Sequence, residues 1–188
     1  MEELSSFAIK HNIPVTQTVM GYSSMKRDHS HFLGPIGGLG GKAANNLAKQ
    51  TDLAIAIGTK LADFTTGSWA NFENPEFKLI SINVSRFDAN KHMASSVIGD
   101  AKVSLNELSQ ALGNWKAPDA WHKKSVNELK SWNEYVDKES GPTNQKLHSY
   151  AHAVGAIYRN SDPSDIAVTA AGGLVGEVVQ IWRPRELN

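Results

Sequence analysis

The chain has 188 residues, no cysteine, and 19 acidic and 19 basic residues, so its formal net charge is zero. This composition excludes thiol chemistry, disulfides and thiolate metal sites, and it provides no basic field to hold nucleic acid or an anionic membrane. No apolar run approaches the roughly 20 residues that span a bilayer, and the acidic N-terminus does not resemble a signal peptide, so we expect a cytoplasmic protein.

The first part of the chain alternates helices with strands. Apolar spacing predicts helices at 2–11, 42–50 and 103–112, and strands at 13–19, 53–58, 78–84 and 96–98. Residues 31–35, just before a Gly-rich stretch, are not predicted to form a strand. Because helices and strands alternate, the pattern indicates a Rossmann-like α/β domain with a parallel sheet between helices.

The second part of the chain changes character. Residues 116–146 are polar and charged, with Trp121, Trp132 and Tyr135 spaced through them, and predict a connector helix. A helix at 147–158, a strand at 166–170 and a further helix containing Val178 and Ile181 then begin a new unit. The sequence thus predicts three parts: a central domain at 1–115, a connector at 116–146, and the beginning of another domain at 147–188.

The last of these parts lacks the neighbouring strands that a sheet would require. It therefore cannot complete its own core, and we expect it to be disordered, to dock non-natively, or to mediate dimerisation. On this interpretation, a chain ending near Lys146 would be at least as stable as the longer one.

A Gly-rich stretch, GPIGGLGG from Gly34, contains the pattern Gly38-x-Gly40-x-x-Ala43. Such glycines allow a pyrophosphate to approach a helix N-terminus, but the same pattern also occurs in turns that pack a helix closely on a sheet. A P-loop is excluded, because Ala43 stands where a metal-binding Ser or Thr is required.

Two further positions bear on a dinucleotide site. Gly58 opens a hydroxyl-rich loop at the end of one predicted strand, and Asn83 ends the next, followed by Ser85. Nucleotide-binding Rossmann units usually have a carboxylate at the latter position to hold the ribose, and an amide cannot supply the same charge-assisted bond. The sequence therefore argues against a bound dinucleotide.

The histidines do not predict a metal site. His29 and His31 lie in a loop without carboxylates at ligand spacing. His148 and His152 lie one helical turn apart, but Ser149 stands where the zinc-protease pattern has its glutamate. A solvated helix face explains this second pair better. Since no Gly-x-Ser-x-Gly elbow occurs either, we assign no catalytic and no metal-binding residue.

The order of these segments resembles the central domain of the thiamine-diphosphate-dependent enzymes, such as acetolactate synthase, over about residues 13–112. The resemblance rests on five ordered segments: IPVTQTVMGYSS, GPIGGLGGKAANN, TDLAIAIGTKLADFTTG, KLISINVSRFDANKH and VIGDAKVSLNEL. Within that superfamily, three segments are most similar to the hydrolases of myo-inositol catabolism that open a cyclic dione. These segments are DFTTGS, INVSRFDANKH and the tail DIAVTAAGGLVGEVVQIWRPREL.

The resemblance implies thiamine diphosphate and Mg²⁺ as cofactors of a complete enzyme, a homo-oligomeric assembly, and a small cyclic dione as substrate. The activating glutamate and the Gly-Asp-Gly metal motif of the family are absent from this sequence, so we expect a non-catalytic fragment without a cofactor of its own. By the same resemblance, a loop of four residues lies where the cofactor's phosphates bind: Ala171, Gly172, Gly173 and Leu174.

In some relatives the central domain holds FAD or ADP, and in others it is an empty scaffold. The resemblance therefore implies a vestigial dinucleotide site at four positions: Gly38, Gly40, Gly58 and Asn83. Two alternatives stay open. The chain could belong to an acetolactate synthase-like carboligase or decarboxylase, or it could be a stand-alone nucleotide-binding or interaction module.

Overall fold

The computed structural model describes residues 2–184. Its strands are β1 (Val15–Gln17), β2 (Phe32–Pro35), β3 (Leu53–Ile57), β4 (Lys78–Asn83) and β5 (Ser95–Ile98). Its helices are α1 (Glu2–His11), α2 (Lys42–Ala48), α3 (Asp63–Thr66), α4 (Arg86–Ala89), α5 (Ala101–Leu112), α6 (Asp119–Glu139), α7 (Tyr150–Arg159) and α8 (Gly173–Ile181).

All the strand pairs are parallel, which confirms the predicted α/β class. β1 pairs with β2, and β3, β4 and β5 form a second sheet in that order. Parallel neighbours need a crossover between them, and the short helices α3 and α4 lie in the two crossovers of the second sheet. α5 begins two residues before the helix predicted at 103–112, because the Asp100 carboxylate accepts hydrogen bonds from the backbone N–H groups of Lys102 and Val103 at 2.9 and 3.0 Å.

The expectation that residues 31–35 form no strand is wrong. Phe32–Pro35 is β2, with all four residues buried. It lies parallel to β1, and the Val15 N–H donates to the His31 carbonyl at 2.7 Å. Short-range periodicity does not reveal this strand, because its four residues are all buried and show no alternation of apolar and polar side chains. The segment also ends in Gly34 and Pro35, two residue types that usually interrupt strands.

The strand predicted at 166–170 does not form. This segment has no regular secondary structure, and Ile166 and Val168 are 77 % and 91 % exposed. A β-strand needs a neighbour to satisfy its backbone N–H and C=O groups, and no strand of the described chain lies beside this one. Apolar residues do alternate in the segment 166–170, but residues 2–184 contain no strand that pairs with it.

Three clusters of buried apolar side chains hold the described residues together. The largest packs α2 and the Gly-rich turn against α6, with Leu33, Ala44 and Leu47 at its centre. A second joins α1 to β2. The third consists of Val136 of α6, Val154 of α7 and Ile181 of α8. The connector helix therefore contributes to the core on both sides, and the tail packs on it. The last four residues, 185–188, lie outside the described part of the chain.

Candidate functional site

The Gly-rich turn between β2 and α2 is tightly packed against protein backbone. Gly37 has a φ of +107°, and a Cβ atom placed on it would lie 2.1 Å from the carbonyl oxygen of Phe64. The Gly38 N–H donates to that same oxygen at 2.6 Å. At Gly40, a Cβ atom would lie 2.4 Å from the carbonyl carbon of Ile36. Gly37 and Gly38 thus allow the start of α3 to approach the turn, whereas Gly40 allows the turn to close on its own backbone.

Asn45 holds the same turn from the side of α2. Its Oδ1 accepts the Gly37 N–H at 2.9 Å, and its Nδ2 donates to the Gly37 carbonyl at 3.0 Å. Asn71 adds a third bond, from its Nδ2 to the Asn45 Oδ1 at 3.2 Å. The Ala-Asn that follows the glycines is visible in the sequence, but no local pattern assigns it a contact. The reciprocal amide bonds occupy both backbone groups of Gly37.

Gln180 of α8 contacts the far side of this turn. Its Nε2 donates to the Leu39 carbonyl at 2.6 Å, and its Oε1 accepts from the Trp132 Nε1–H at 3.0 Å. A Cβ atom on Gly41 would lie 2.7 Å from the Trp132 Nε1 and 3.1 Å from the Gln180 Oε1. The Gly-rich turn therefore also binds α8. The hydrogen bond between Gln180 and Leu39 joins residues 141 positions apart, and no local sequence pattern indicates it.

Gly58 and Asn83 meet at the carboxyl edge of the second sheet, where open α/β sheets bind ligands. Gly58 has a φ of +62°. Asn83 is buried, its Nδ2 donates to the Thr59 carbonyl at 3.3 Å, and its Oδ1 accepts the Ser85 N–H at 2.9 Å. The Ser85 hydroxyl caps α4 by accepting the Asp88 N–H. Both polar side chains at this edge are thus engaged within the protein.

The four sequence-predicted dinucleotide positions occupy two places. Gly58 and Asn83 are neighbours at the ends of β3 and β4, whereas Gly38 and Gly40 lie in the turn that α3 covers. The loops and short helices after β3 and β4 also present exposed apolar side chains, with Phe64, Val84 and Phe87 at 71 %, 74 % and 76 % exposure. The sequence patterns did not single out these apolar residues.

Residues 171–174 form the start of α8 and are exposed. Gly172 is the N-cap with a φ of +135°, no side chain caps the helix, and a Cβ atom on Gly172 would meet nothing within 4 Å. No side chain of the described residues therefore caps the first N–H groups of α8, and backbone groups at such a position can bind an anion. Gly173 lies near the Tyr150 ring, because a Cβ atom on this glycine would be 3.7 Å from the Tyr150 Cε2.

A partly buried arginine, Arg27, fixes the other end of α8. Arg27 Nη2 donates to the Val179 carbonyl and to the Tyr22 hydroxyl, both at 2.7 Å, and Tyr22 in turn donates to the Trp182 carbonyl. Burial lowers the pKa of Arg27 and raises that of Tyr22. The guanidinium binds the Val179 carbonyl in the last turn of α8, where the helix dipole favours a cation. The loop before β2 therefore depends on the docked tail.

The histidine pairs have structural contacts. His152 completes the capping box of α7 with Ser149, and its ring lies edge-on to His148 at 6.1 Å. His31 stacks on His122, a partner that sequence patterns do not indicate because it lies in a distant helix. No group of three or more His, Asp or Glu side chains within residues 2–184 is arranged to hold a metal ion. Over the same range, no helix is both long and apolar enough to cross a membrane.

Comparison with known proteins gives two kinds of match. Residues 1–108 match the family model described as the thiamine pyrophosphate enzyme central domain. The chain is also 35 % identical over 204 aligned positions to a 3D-(3,5/4)-trihydroxycyclohexane-1,2-dione hydrolase of Clostridium perfringens strain 13, covering 96 % of this chain and 32 % of that protein.

Other hydrolases with the same name show similar coverage. The protein from Bacillus anthracis strain CDC 684 is 35 % identical over 211 positions, which cover 100 % of this chain and 33 % of the relative. The protein from Clostridium botulinum strain Alaska E43 is 32 % identical over 210 positions, with the same shares. The chain thus spans about a third of the length of the curated relatives that it matches.

Proposed function

Because this chain belongs to the thiamine pyrophosphate enzymes, whose central domain it contains, we propose that it is part of a thiamine-diphosphate-dependent hydrolase. That hydrolase would cleave a carbon–carbon bond of a cyclic dione in myo-inositol degradation. The observation that carries the proposal is the 35 % identity to trihydroxycyclohexane-dione hydrolases over the whole chain. This identity continues past residue 108, where the family model ends, into the tail that holds residues 171–174.

Residues 171–174 fit the phosphate end of thiamine diphosphate. The helix start is exposed, carries no acidic residue in its first turn, and has no side-chain cap. Backbone N–H groups at such a position bind anions. When bound in the complete enzyme, the cofactor supplies the carbanion stabilisation that carbon–carbon cleavage requires. This chain's residues would orient the diphosphate, and we propose no acid, base or metal ligand among them.

The role that we propose for the central domain is that of a scaffold. Its Gly-rich turn seats α8, so it sets where the exposed helix start lies relative to the first sheet. We further propose that the complete enzyme is a cytoplasmic homo-oligomer. The test of the overall proposal is the reaction of the full-length protein with 3D-(3,5/4)-trihydroxycyclohexane-1,2-dione, thiamine diphosphate and Mg²⁺. Ring opening supports it, whereas decarboxylation or ligation of pyruvate with no ring opening favours the carboligase alternative.

The chain by itself is expected not to bind thiamine diphosphate tightly. Only one end of the cofactor finds a fitting group, and a single helix start supplies a small part of the affinity that a charged diphosphate needs. Isothermal calorimetry of this chain with thiamine diphosphate and Mg²⁺ should give no binding in the micromolar range. Micromolar binding would show that the cofactor site is more complete than we propose.

The chain is also expected to carry no tightly bound flavin or nicotinamide dinucleotide. The amide of Asn83 and the N–H of Gly38 already bond within the protein, so a dinucleotide would have to displace both. Purified protein should be colourless, and added FAD should leave its melting temperature unchanged. A ligand at 100 times its dissociation constant would add about 2.7 kcal/mol, so a clear rise would contradict this expectation.

A further inference from the structure

Three histidines lie together where the start of β2 meets the first turn of α6. The ring of His31 stacks on that of His122 with 4.1 Å between centroids and 15° between planes. His29 lies nearby, with its ring centroid 5.8 Å from that of His31. His31 is 7 % exposed, and neither the fold class nor the proposed cofactor chemistry requires this cluster.

Hydrogen bonds fix the tautomer of His31. Asn12 Nδ2 faces two groups that can only accept, the Ala117 carbonyl at 3.1 Å and the Asp119 Oδ1 at 3.0 Å. Its Oδ1 therefore faces the His31 Nε2 at 3.2 Å, and this nitrogen must carry the proton and donate. The Nδ1 of the neutral ring then accepts from the Ser30 hydroxyl at 3.0 Å. Both ring nitrogens of neutral His31 are satisfied.

A second proton on His31 has no compensating charge beside it. The titratable groups whose charges act on His31 are His122 on α6 and His29 on the preceding loop, and both are bases. The Asp119 carboxylate of α6 meets His31 only through the Asn12 amide. Burial, and then the charges of His122 and His29, lower the pKa of His31 to about 4.

We propose that the stacked pair His31–His122 is an acid-sensitive clasp, which holds the start of β2 on the first turn of α6 and opens when His31 is protonated. The clasp is closed when His31 is neutral and donates to Asn12. In acid, the buried His31 ring becomes a cation with no anion beside it, and its Nδ1 can no longer accept the hydrogen bond from the Ser30 hydroxyl. Because α6 also carries Trp132, which bonds to Gln180 of α8, opening weakens the seat of α8.

The sign of the pH dependence follows from the two states of His31. In an open or unfolded chain its pKa returns to about 6.5, above its value in the closed form, so the open form takes up the proton. The contribution to stability is complete above about pH 6.5, falls as the pH decreases toward about 4, and is constant below that.

Two measurements test the clasp. The first is an NMR titration of the His31 ring in the wild-type chain and in His122→Phe, which keeps an aromatic ring without a charge. His122 Nδ1 is buried without a hydrogen-bond partner, so phenylalanine sacrifices no bond there. We expect a depressed His31 pKa in the wild type and a higher one in His122→Phe. An ordinary His31 pKa in the wild type, or one that the substitution leaves unchanged, overturns the proposal.

The second measurement is urea unfolding of the wild-type chain, His31→Gln and His148→Gln at pH 8 and pH 5. Glutamine can donate to Asn12 and accept from Ser30 but cannot be charged. From pH 8 to pH 5, the unfolding equilibrium constant of the wild type should rise about 30-fold more than that of His31→Gln. His148→Gln, just before the start of α7, should follow the wild type. Equal pH dependence in all three proteins contradicts the clasp, and if His31→Gln does not fold, the titration decides.

Discussion

Replacing Gly37 by alanine is expected to destabilise the chain by about 3–5 kcal/mol, since two costs coincide there. The new Cβ atom would lie 2.1 Å from the Phe64 carbonyl oxygen and 2.8 Å from the Thr65 Cα, and both belong to backbone that cannot rotate away. The φ of +107° is also unfavourable for any residue with a side chain. Urea unfolding monitored by circular dichroism measures the loss.

The neighbouring glycine provides a matched control. A Cβ atom on Gly38 would lie 3.5 Å from the Phe64 Cδ1, which is an ordinary contact with a side chain, and its φ is not in the left-handed region. Gly38→Ala should therefore change the free energy of unfolding by less than about 1 kcal/mol. If the two variants proved equally stable, the close approach of α3 to the turn would be wrong.

Removing residues 147–188 is expected to lower the stability of the rest of the chain by about 3–6 kcal/mol. This deletion removes the buried side chains of Val154 and Ile181 from contact with Val136 of α6, and it removes the buried Val179 as well. It also removes the Val179 carbonyl that binds Arg27 and both hydrogen bonds of Gln180. Thermal melts of the full chain and of a chain ending at Lys146 measure the difference.

The sequence alone predicts that a chain ending near Lys146 is at least as stable as the full chain, which is the reverse of this expectation. The point variant Gln180→Ala distinguishes the two predictions. It removes the bonds to Leu39 and Trp132 while leaving α8 in place, and should cost about 1–3 kcal/mol. If the chain ending at Lys146 melted at or above the temperature of the full chain, and light scattering gave a smaller particle, the tail would be a dimerisation segment and not part of this core.

The amphipathic patterns predict much of the fold. The predicted helix at 2–11 and strands at 53–58 and 78–84 agree within a residue or two with the observed α1, β3 and β4. The periodicity of their apolar residues extends over enough positions to identify them. The predictions for β2 and for the segment at 166–170 are wrong for opposite reasons: the first is too short to show a period, and the second shows one but has no neighbouring strand among the described residues.

The candidate site was less predictable, because its contacts join distant parts of the chain. The glycines of the turn and Asn83 can be recognised locally, and so can the Gly-rich start of α8. The contacts of these positions cannot be recognised locally. Phe64 covers the turn, Gln180 of α8 bonds to it, and His122 stacks on His31. A hydrogen bond or a ring stack between distant residues leaves no periodic trace in a sequence.

Because α8 holds the partly buried side chain of Arg27, the docked tail protects a site that trypsin would otherwise cleave. Trypsin must seat an arginine side chain in its own acidic specificity pocket, and this guanidinium is held instead by the Val179 carbonyl and the Tyr22 hydroxyl. The peptide bond after Arg27 is therefore protected for as long as α8 stays docked. Cleavage after Arg27 therefore reports that α8 has been released. The cleaved loop lies near the start of the chain, and Val179 of α8 lies 152 residues further along.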